Sequence, residues 1–245
     1  MKPCLLIPIY DHCDTIRGVV ESLAPSRLPL FIENDGSGPA TVEVLEALAA
    51  QHEWVEVAHQ AENRGKGHAL KRGYRRALER GFSHAVQIDA DGQHDAGDVK
   101  RFLDAMEGHP EALVLGSPVF DASAPRSRLW GRQLSVWLVA ALTLSRRVGD
   151  PLCGFRGVPL APVRDLLDET DLGDHMDFDP ELAVRLVWKG VPVRHVATRV
   201  RYLPDGVSHF DVVWDDLRLA SLYARLAPGM LARAPELLGL RRSRA

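Results

Sequence analysis

Five short β-rich runs, at residues 4–9, 30–33, 54–58, 84–89 and 112–115, alternate with stretches of helical pattern. Strands separated by helices form a mainly parallel sheet covered on both faces, which makes the chain an α/β protein. In such a sheet ligands lie beyond the carboxyl ends of the strands. Three of the runs end in polar clusters: PIYDHCD at 8–14, ENDGSG at 33–38 and DADGQHD at 89–95. All three are expected to face one crevice.

The helix expected over 65–80 puts Ala69, Leu70, Gly73, Tyr74, Ala77 and Leu78 on one stripe and its cations on the other. Further on, 95–106 and 126–147 read as helices, 149–157 as a Gly/Pro-punctuated loop, 179–189 as an amphipathic helix and 193–202 as an edge or return strand. No repeat or linker divides the chain. One domain over 1–216 is expected, followed by a basic amphipathic helix or tail over 217–245, where six arginines face one acid.

Charge and cysteine content narrow the functional classes. With 30 Lys+Arg against 33 Asp+Glu the formal charge is −3, which excludes a protein held to nucleic acid by bulk positive charge. Three cysteines without a CxxC pair, Cys4, Cys13 and Cys153, suit a reducing compartment and argue against a disulfide framework. The apolar run at the N-terminus is too short for a signal peptide, and the one at 134–144 spans 11 residues where a membrane-crossing helix needs about 20. A cytoplasmic location is expected, with attachment at the inner face of a membrane through residues 130–144 and the arginine-rich terminus.

The segment HAVQIDADGQHD carries the most chemical information. An apolar strand runs into Asp89 and Asp91, one small residue apart, followed by the amide oxygen of Gln93. Two carboxylates converging at about 4 Å repel by about 4 kcal/mol at an effective dielectric near 20. A cation between them relieves that repulsion, and a sparse all-oxygen ligand set suits Mg²⁺ or Mn²⁺ bridging a diphosphate rather than zinc. On its own an Asp-x-Asp is more often surface charge. Nearby, NRGKG at 63–67 opens a helix with two glycines and Lys66, an arrangement that favours phosphate-like charge, although the P-loop spacing is missing. Asp35 in ENDGSG also reads as a simple turn residue.

Taken together, IPIYDH, NDGSG, ENRGKGHALKRGYRRAL, IDADGQHD, VLGSP, DPLCGFRG, MDFDPELAVRLVWKG and RYLPDGVSHF resemble, in order, the catalytic domain of glycosyltransferase family 2 with its GT-A fold. More narrowly they resemble its polyprenyl-phosphate (dolichyl-phosphate) sugar synthase branch, over about residues 4–210. The resemblance implies inverting transfer of a sugar from a UDP- or GDP-sugar to a lipid-linked acceptor. It implies that Pro8 and Tyr10 line base and ribose, that Asp35 binds the base, and that Lys66 lies beside the nucleotide. Asp89, Ala90, Asp91 and Gln93 are implied to form the diphosphate and metal site, with Asp91 taking part in catalysis.

On the acceptor side, Asp177, Asp179 and Glu181 alternate before a helix. Asp179, followed by Pro180, reads as a helix cap, and Asp177 is favoured as general base if the acceptor is a hydroxyl. An ionised lipid phosphate needs no base. Arg156 and Arg201 are candidates for phosphate contacts in the nucleotide-sugar site, Ser208 and His209 fall in a loop on the acceptor side, and His94 sits beside the acids. Three departures from the family pattern stand out: Asn34 replaces the first acid of an acidic pair, Pro118 follows Ser117 in place of arginine, and no arginine precedes Gly206. The rival readings are transfer to a soluble or another hydrophobic acceptor, a nucleotidyltransferase that releases pyrophosphate, and a catalytically silent nucleotide-sugar-binding subunit.

Overall fold

The computed structural model describes residues 1–120, 126–201 and 212–240. Its centre is a seven-stranded sheet in the order β3-β2-β1-β4-β6-β5-β7. The strands are β1 (Pro3–Ile9), β2 (Leu30–Asp35), β3 (Val55–Gln60), β4 (His84–Gln87), β5 (Leu113–Phe120), β6 (Arg156–Pro159) and β7 (Val193–Val200). All neighbours pair in parallel except β6, which runs antiparallel to both β4 and β5.

Alternation along the strands decides which helices cover which face. Leu5, Ile7 and Ile9 of β1 join a core with α1 (Cys13–Leu23), α2 (Pro39–Gln51) and α4 (Val99–Gly108). Cys4 and Leu6 point the other way, into a core built with α3 (Lys66–Glu79), α5 (Arg126–Thr143), α6 (Leu160–Glu169), α7 (Phe178–Trp188) and α8 (Val212–Leu237). Phe102 and Phe155 stack at 4.0 Å between ring centroids and pin α4 to the segment entering β6.

The basic face of α3 is not simply solvated. Glu33 of β2 is 1% exposed and meets Arg72 and Arg76, each at 3.3 Å, while Glu56 of β3 takes Arg76 and Arg80. These pairs moor α3 across two strands, so its N-terminus is held at the carboxyl edge of the sheet.

Two elements differ from the sequence reading. The stretch read as a loop over 149–157 ends in β6, a four-residue RGVP strand without alternation whose identity comes from its partners on both sides. Helix α6 follows it at once. The terminal helix begins at Val212, before residue 217, and buries Leu219, Leu222, Tyr223 and Leu226 in the main core. Arg241, Arg242 and Arg244 lie outside the described residues.

Candidate active site

Strands β2, β1 and β4 are adjacent, and the chain adds β2 and β3 on one side of β1 before crossing through α3 to add β4 on the other. This is the switch point at which an open α/β sheet forms its crevice. The three polar clusters read from the sequence converge there. The turn after β1 is tied to the turn after β2, since Asp11 N–H donates to Ser37 Oγ (2.9 Å) and Gly38 N–H donates to Asp11 Oδ1 (2.7 Å). Pro8 is buried in β1 opposite Glu33, and Tyr10 follows the strand, half-buried at the crevice edge.

Asp35 lies at the end of β2, against the turn that opens α3. Its carboxylate accepts the backbone N–H groups of Arg64 (3.1 Å) and Gly65 (2.7 Å), and it is 3% exposed. It anchors the NRGKG turn to β2. Gly65 there has φ +106°, and a Cβ would stand 2.3 Å from the Asp174 carbonyl oxygen, so only glycine fits. The first turn of α3 is likewise in use, because His68 N–H donates to Asp174 O at 2.9 Å. The helix end expected to receive phosphate therefore rests against the 173–178 segment, leaving Lys66 as its contribution to the crevice.

Lys66 is the hub. Its Nζ lies 2.6 Å from Asp89 Oδ1 and 3.0 Å from Asp179 Oδ2. Asp179 also accepts a hydrogen bond from Gln87 Nε2 (3.1 Å), whose Oε1 accepts one from the Tyr74 hydroxyl (2.6 Å). Burial alone would lower the Lys66 pKa, but the charges of Asp179 and Asp89 raise it well above the ordinary lysine value. Burial would raise Asp89, and Lys66, His94 and Arg156 outweigh it and hold the carboxyl below its usual range.

Asp91 lies on the other side of this balance. Burial first, and then the charge of Asp89, push its pKa up, while its Oδ1 accepts Gln93 N–H at 2.9 Å. Ala90, between the acids, turns its methyl into the core and its carbonyl to Thr15 Oγ1 at 2.7 Å. Gln93 is fixed from outside: Arg201 N–H donates to its carbonyl at 3.0 Å, bringing the end of β7 beside the acid loop. His94 sets its ring edge toward Phe155 at 5.5 Å, and burial keeps its pKa low despite the neighbouring carboxylates.

Among the described residues no group of three or more His, Cys, Asp or Glu side chains forms a ready metal cage. A divalent ion nonetheless suits the donors present: two carboxylates on one loop, close enough for one to raise the other's pKa, and the amide oxygen of Gln93 next to a backbone-locked turn. The approach of the 150–154 loop limits the space around them. A Cβ on Gly154 would lie 1.8 Å from Asp89 Oδ2.

Arg156 and Asp179 take up partners that the sequence did not suggest. Arg156 is fully buried and spends its guanidinium on the carbonyls of Cys153 (2.7 Å), Asp179 (2.7 Å) and Pro151, with Asp179 Oδ1 at 3.5 Å. It braces Asp179 and does not reach a phosphate in the crevice. Asp179 in turn makes no helix-cap hydrogen bond, since α7 begins at Phe178. Asp177 has other partners, with Oδ1 accepting His175 N–H (3.2 Å) and Oδ2 3.7 Å from Arg225 of α8. Ser208 and His209 lie outside the described residues. Tyr74, Gln87 and Gly154 were not singled out from sequence for the site; Gln87, a lone amide in an apolar strand, was the available signal for the buried network.

With this geometry in view, the comparisons with known proteins are direct. Residues 4–167 match the family described as Glycosyl transferase family 2. The chain belongs to glycosyltransferase family 2. A polyprenol monophosphomannose synthase of Mycolicibacterium smegmatis is 28% identical over 78% of this chain and 72% of that protein. An undecaprenyl-phosphate mannosyltransferase of Micrococcus luteus is 30% identical over 73% of this chain and 76% of its own length. The fold is GT-A. Glucosyl-3-phosphoglycerate synthase of Mycobacterium tuberculosis, solved with Mn²⁺ and uridine-diphosphate-glucose, superposes with a TM-score of 0.65 at 18% identity, over 99% of this chain and 80% of that one.

The Lys66 bridge makes a thermodynamic prediction. Lys66→Met leaves two poorly solvated carboxylates without their shared cation and is expected to destabilise the fold by about 3–5 kcal/mol in denaturant titration. Adding Asp179→Leu is expected to recover part of the loss, so that the double variant is more stable than the sum of the two single losses. The acid loop makes a second prediction. Gly154→Ala is expected to displace Asp89 and abolish Mn²⁺ binding measured by electron paramagnetic resonance. Asp91→Asn is expected to abolish it too while raising the melting temperature of the metal-free protein, because it removes a charge that burial and Asp89 disfavour.

Proposed function

We propose that this chain transfers a sugar from a uridine or guanosine diphosphate sugar to a polyprenyl phosphate, with inversion at the anomeric carbon. The carrying observation is the pair Asp89 and Asp91 beyond the exit of β4 at the β1/β4 switch point, with Asp89 paired to Lys66. In this reading Pro8 and Tyr10 border the nucleoside, Lys66 and Arg201 lie on the diphosphate side, and Asp89, Asp91 and Gln93 hold Mg²⁺ or Mn²⁺. When bound, the divalent ion supplies charge stabilisation to the departing nucleoside diphosphate.

The chain's own part is positioning. Lys66 holds Asp89 ionised and oriented, Asp179, braced by Arg156, holds Lys66, and the Ala90 carbonyl fixes the loop between the acids to α1. A phosphate oxygen of the acceptor attacks the anomeric carbon from the face opposite the diphosphate. As the new bond forms, the bond from that carbon to the diphosphate oxygen breaks, and its electron pair leaves with the nucleotide. The attacking oxygen is already ionised and no proton has to be removed. That suits a site in which Asp179 is committed to two cations and Asp177 to His175 N–H and Arg225. Asp177 remains the assigned base only for a hydroxyl acceptor.

The lipid acceptor is supported by the names of the relatives, and a cytoplasmic site at the inner membrane face goes with it. No helix among the described residues is long and apolar enough to cross a membrane. Incubation with labelled donor, Mn²⁺ and polyprenyl phosphate, followed by phase separation, is expected to place label in the organic phase. Asp91→Asn should reduce this by about a hundredfold or more. Label confined to aqueous products would select a soluble acceptor, released pyrophosphate a nucleotidyltransferase, and donor binding without turnover a silent subunit.

A further inference from the structure

The carboxylate of Asp89 is claimed by two cations. Its Oδ1 is closed to solvent and meets Lys66 Nζ at 2.6 Å, while Oδ2 lies against the backbone of Gly154, where an added Cβ would overlap it. The same carboxylate is a donor expected for the divalent ion. Both oxygens of a carboxylate share one carbon, so an ammonium on one and a divalent ion on the other are close neighbours of like sign. Their repulsion is strong in a site that has lost much of its water.

Lys66 has a second seat. Asp179 Oδ2 lies 3.0 Å from its Nζ. The other oxygen of Asp179 is taken up by Gln87 Nε2 at 3.1 Å and by Arg156 Nε at 3.5 Å. With its side chain buried and gripped in this way, Asp179 keeps its place when Lys66 lets go of Asp89. Net charge then decides when that release is favourable. The carboxylates of Asp89, Asp91 and Asp179 share two side-chain cations, Lys66 and Arg156. A divalent ion added alone leaves this cluster with excess positive charge, and a diphosphate arriving with it removes the excess.

We propose that Lys66 is an exchangeable cation. In the metal-free protein it occupies Asp89 Oδ1; on loading it yields that oxygen to the divalent ion, stays on Asp179 and turns its ammonium toward the diphosphate. This rests on the donor and metal reading given above. Without donor, Lys66 loses a carboxylate and gains no anion in return. With donor, a phosphate oxygen replaces the carboxylate it has lost. Lys66 is thus a positioning residue that makes metal loading conditional on donor, a coupling that is reciprocal by linkage.

Mn²⁺ binding is titrated by electron paramagnetic resonance, and binding of uridine and guanosine diphosphate without metal by calorimetry, in the wild type and in Lys66→Met. The variant is expected to bind Mn²⁺ at least about tenfold more tightly in the absence of nucleotide, and to bind nucleotide at least about tenfold more weakly. A lysine that only braced the fold would weaken both. Should the variant not fold, the wild type decides alone: its Lys66 ammonium resonance, correlated through the lysine side chain in isotope-labelled protein, is expected to shift when Mg²⁺ and nucleotide are added together. It should stay in place with the same Mg²⁺ alone. Unchanged or weaker Mn²⁺ binding by folded Lys66→Met, or a resonance that Mg²⁺ with nucleotide leaves unmoved, would overturn the inference. If the wild type binds no Mn²⁺ with either nucleotide, the metal reading fails and takes the inference with it; if it binds Mn²⁺ with nucleotide while Lys66 stays in place, the inference alone fails.

Discussion

An ammonium group suspended between two carboxylates organises this molecule. Lys66 comes from the first residue of α3, Asp89 from the exit of β4 and Asp179 from the first turn of α7, so three elements distant in sequence meet at one nitrogen. None of the three charges is stable in its place alone, because each has lost much of its water. The arrangement holds because Arg156 and the Gln87 amide satisfy what remains of Asp179. Its location follows from backbone features that tolerate no side chain, above all Gly65, which lets α3 press against the 173–178 segment, and Gly154, which closes over Asp89.

Around that hub the site divides into a settled half and an unsettled one. Partners favour the ionised form of Asp89, whereas burial and its neighbour oppose ionisation of Asp91. Such opposed environments are characteristic of functional acids, since a structural ion pair gains nothing from an uncompensated second charge. The strain is local and is relieved by positive charge brought to the loop. The family membership and the GT-A fold agree with a nucleotide-sugar enzyme, and the asymmetry of the two acids adds a physical reason for placing its chemistry at this loop.

Much of this was legible in the residues. The parallel sheet follows from the alternation of strands and helices, and the crevice from three strands ending in polar clusters. The acid loop, unremarkable on its own, gained weight from the NRGKG and ENDGSG segments expected at the same crevice. What sequence did not disclose were partnerships set by tertiary packing. Arg156 in CGFRG looks like a phosphate ligand until β6 carries it into the interior, and Asp179 before Pro180 has every local feature of a cap while its carboxylate turns to Lys66. Asp35 was weighed as a turn residue as well as a base ligand, and the structure uses it for the neighbouring turn. Local pattern specifies helices and strands, but the direction of a charged side chain depends on which charge arrives opposite it.

The reversed strand β6 has a consequence of its own. Gln87 pairs with Arg156 across the β4/β6 ladder, so the two groups that grip Asp179 arrive side by side from adjacent strands. A slip of a single residue in that ladder would turn one of them to the far side of the sheet. Everything between the two strands, from the acid loop through α4, β5 and α5, is thus a long excursion fastened at both ends by one short pairing. Helices beyond the acid loop can change length without loosening the grip on Asp179, because that grip is set at the base of the excursion.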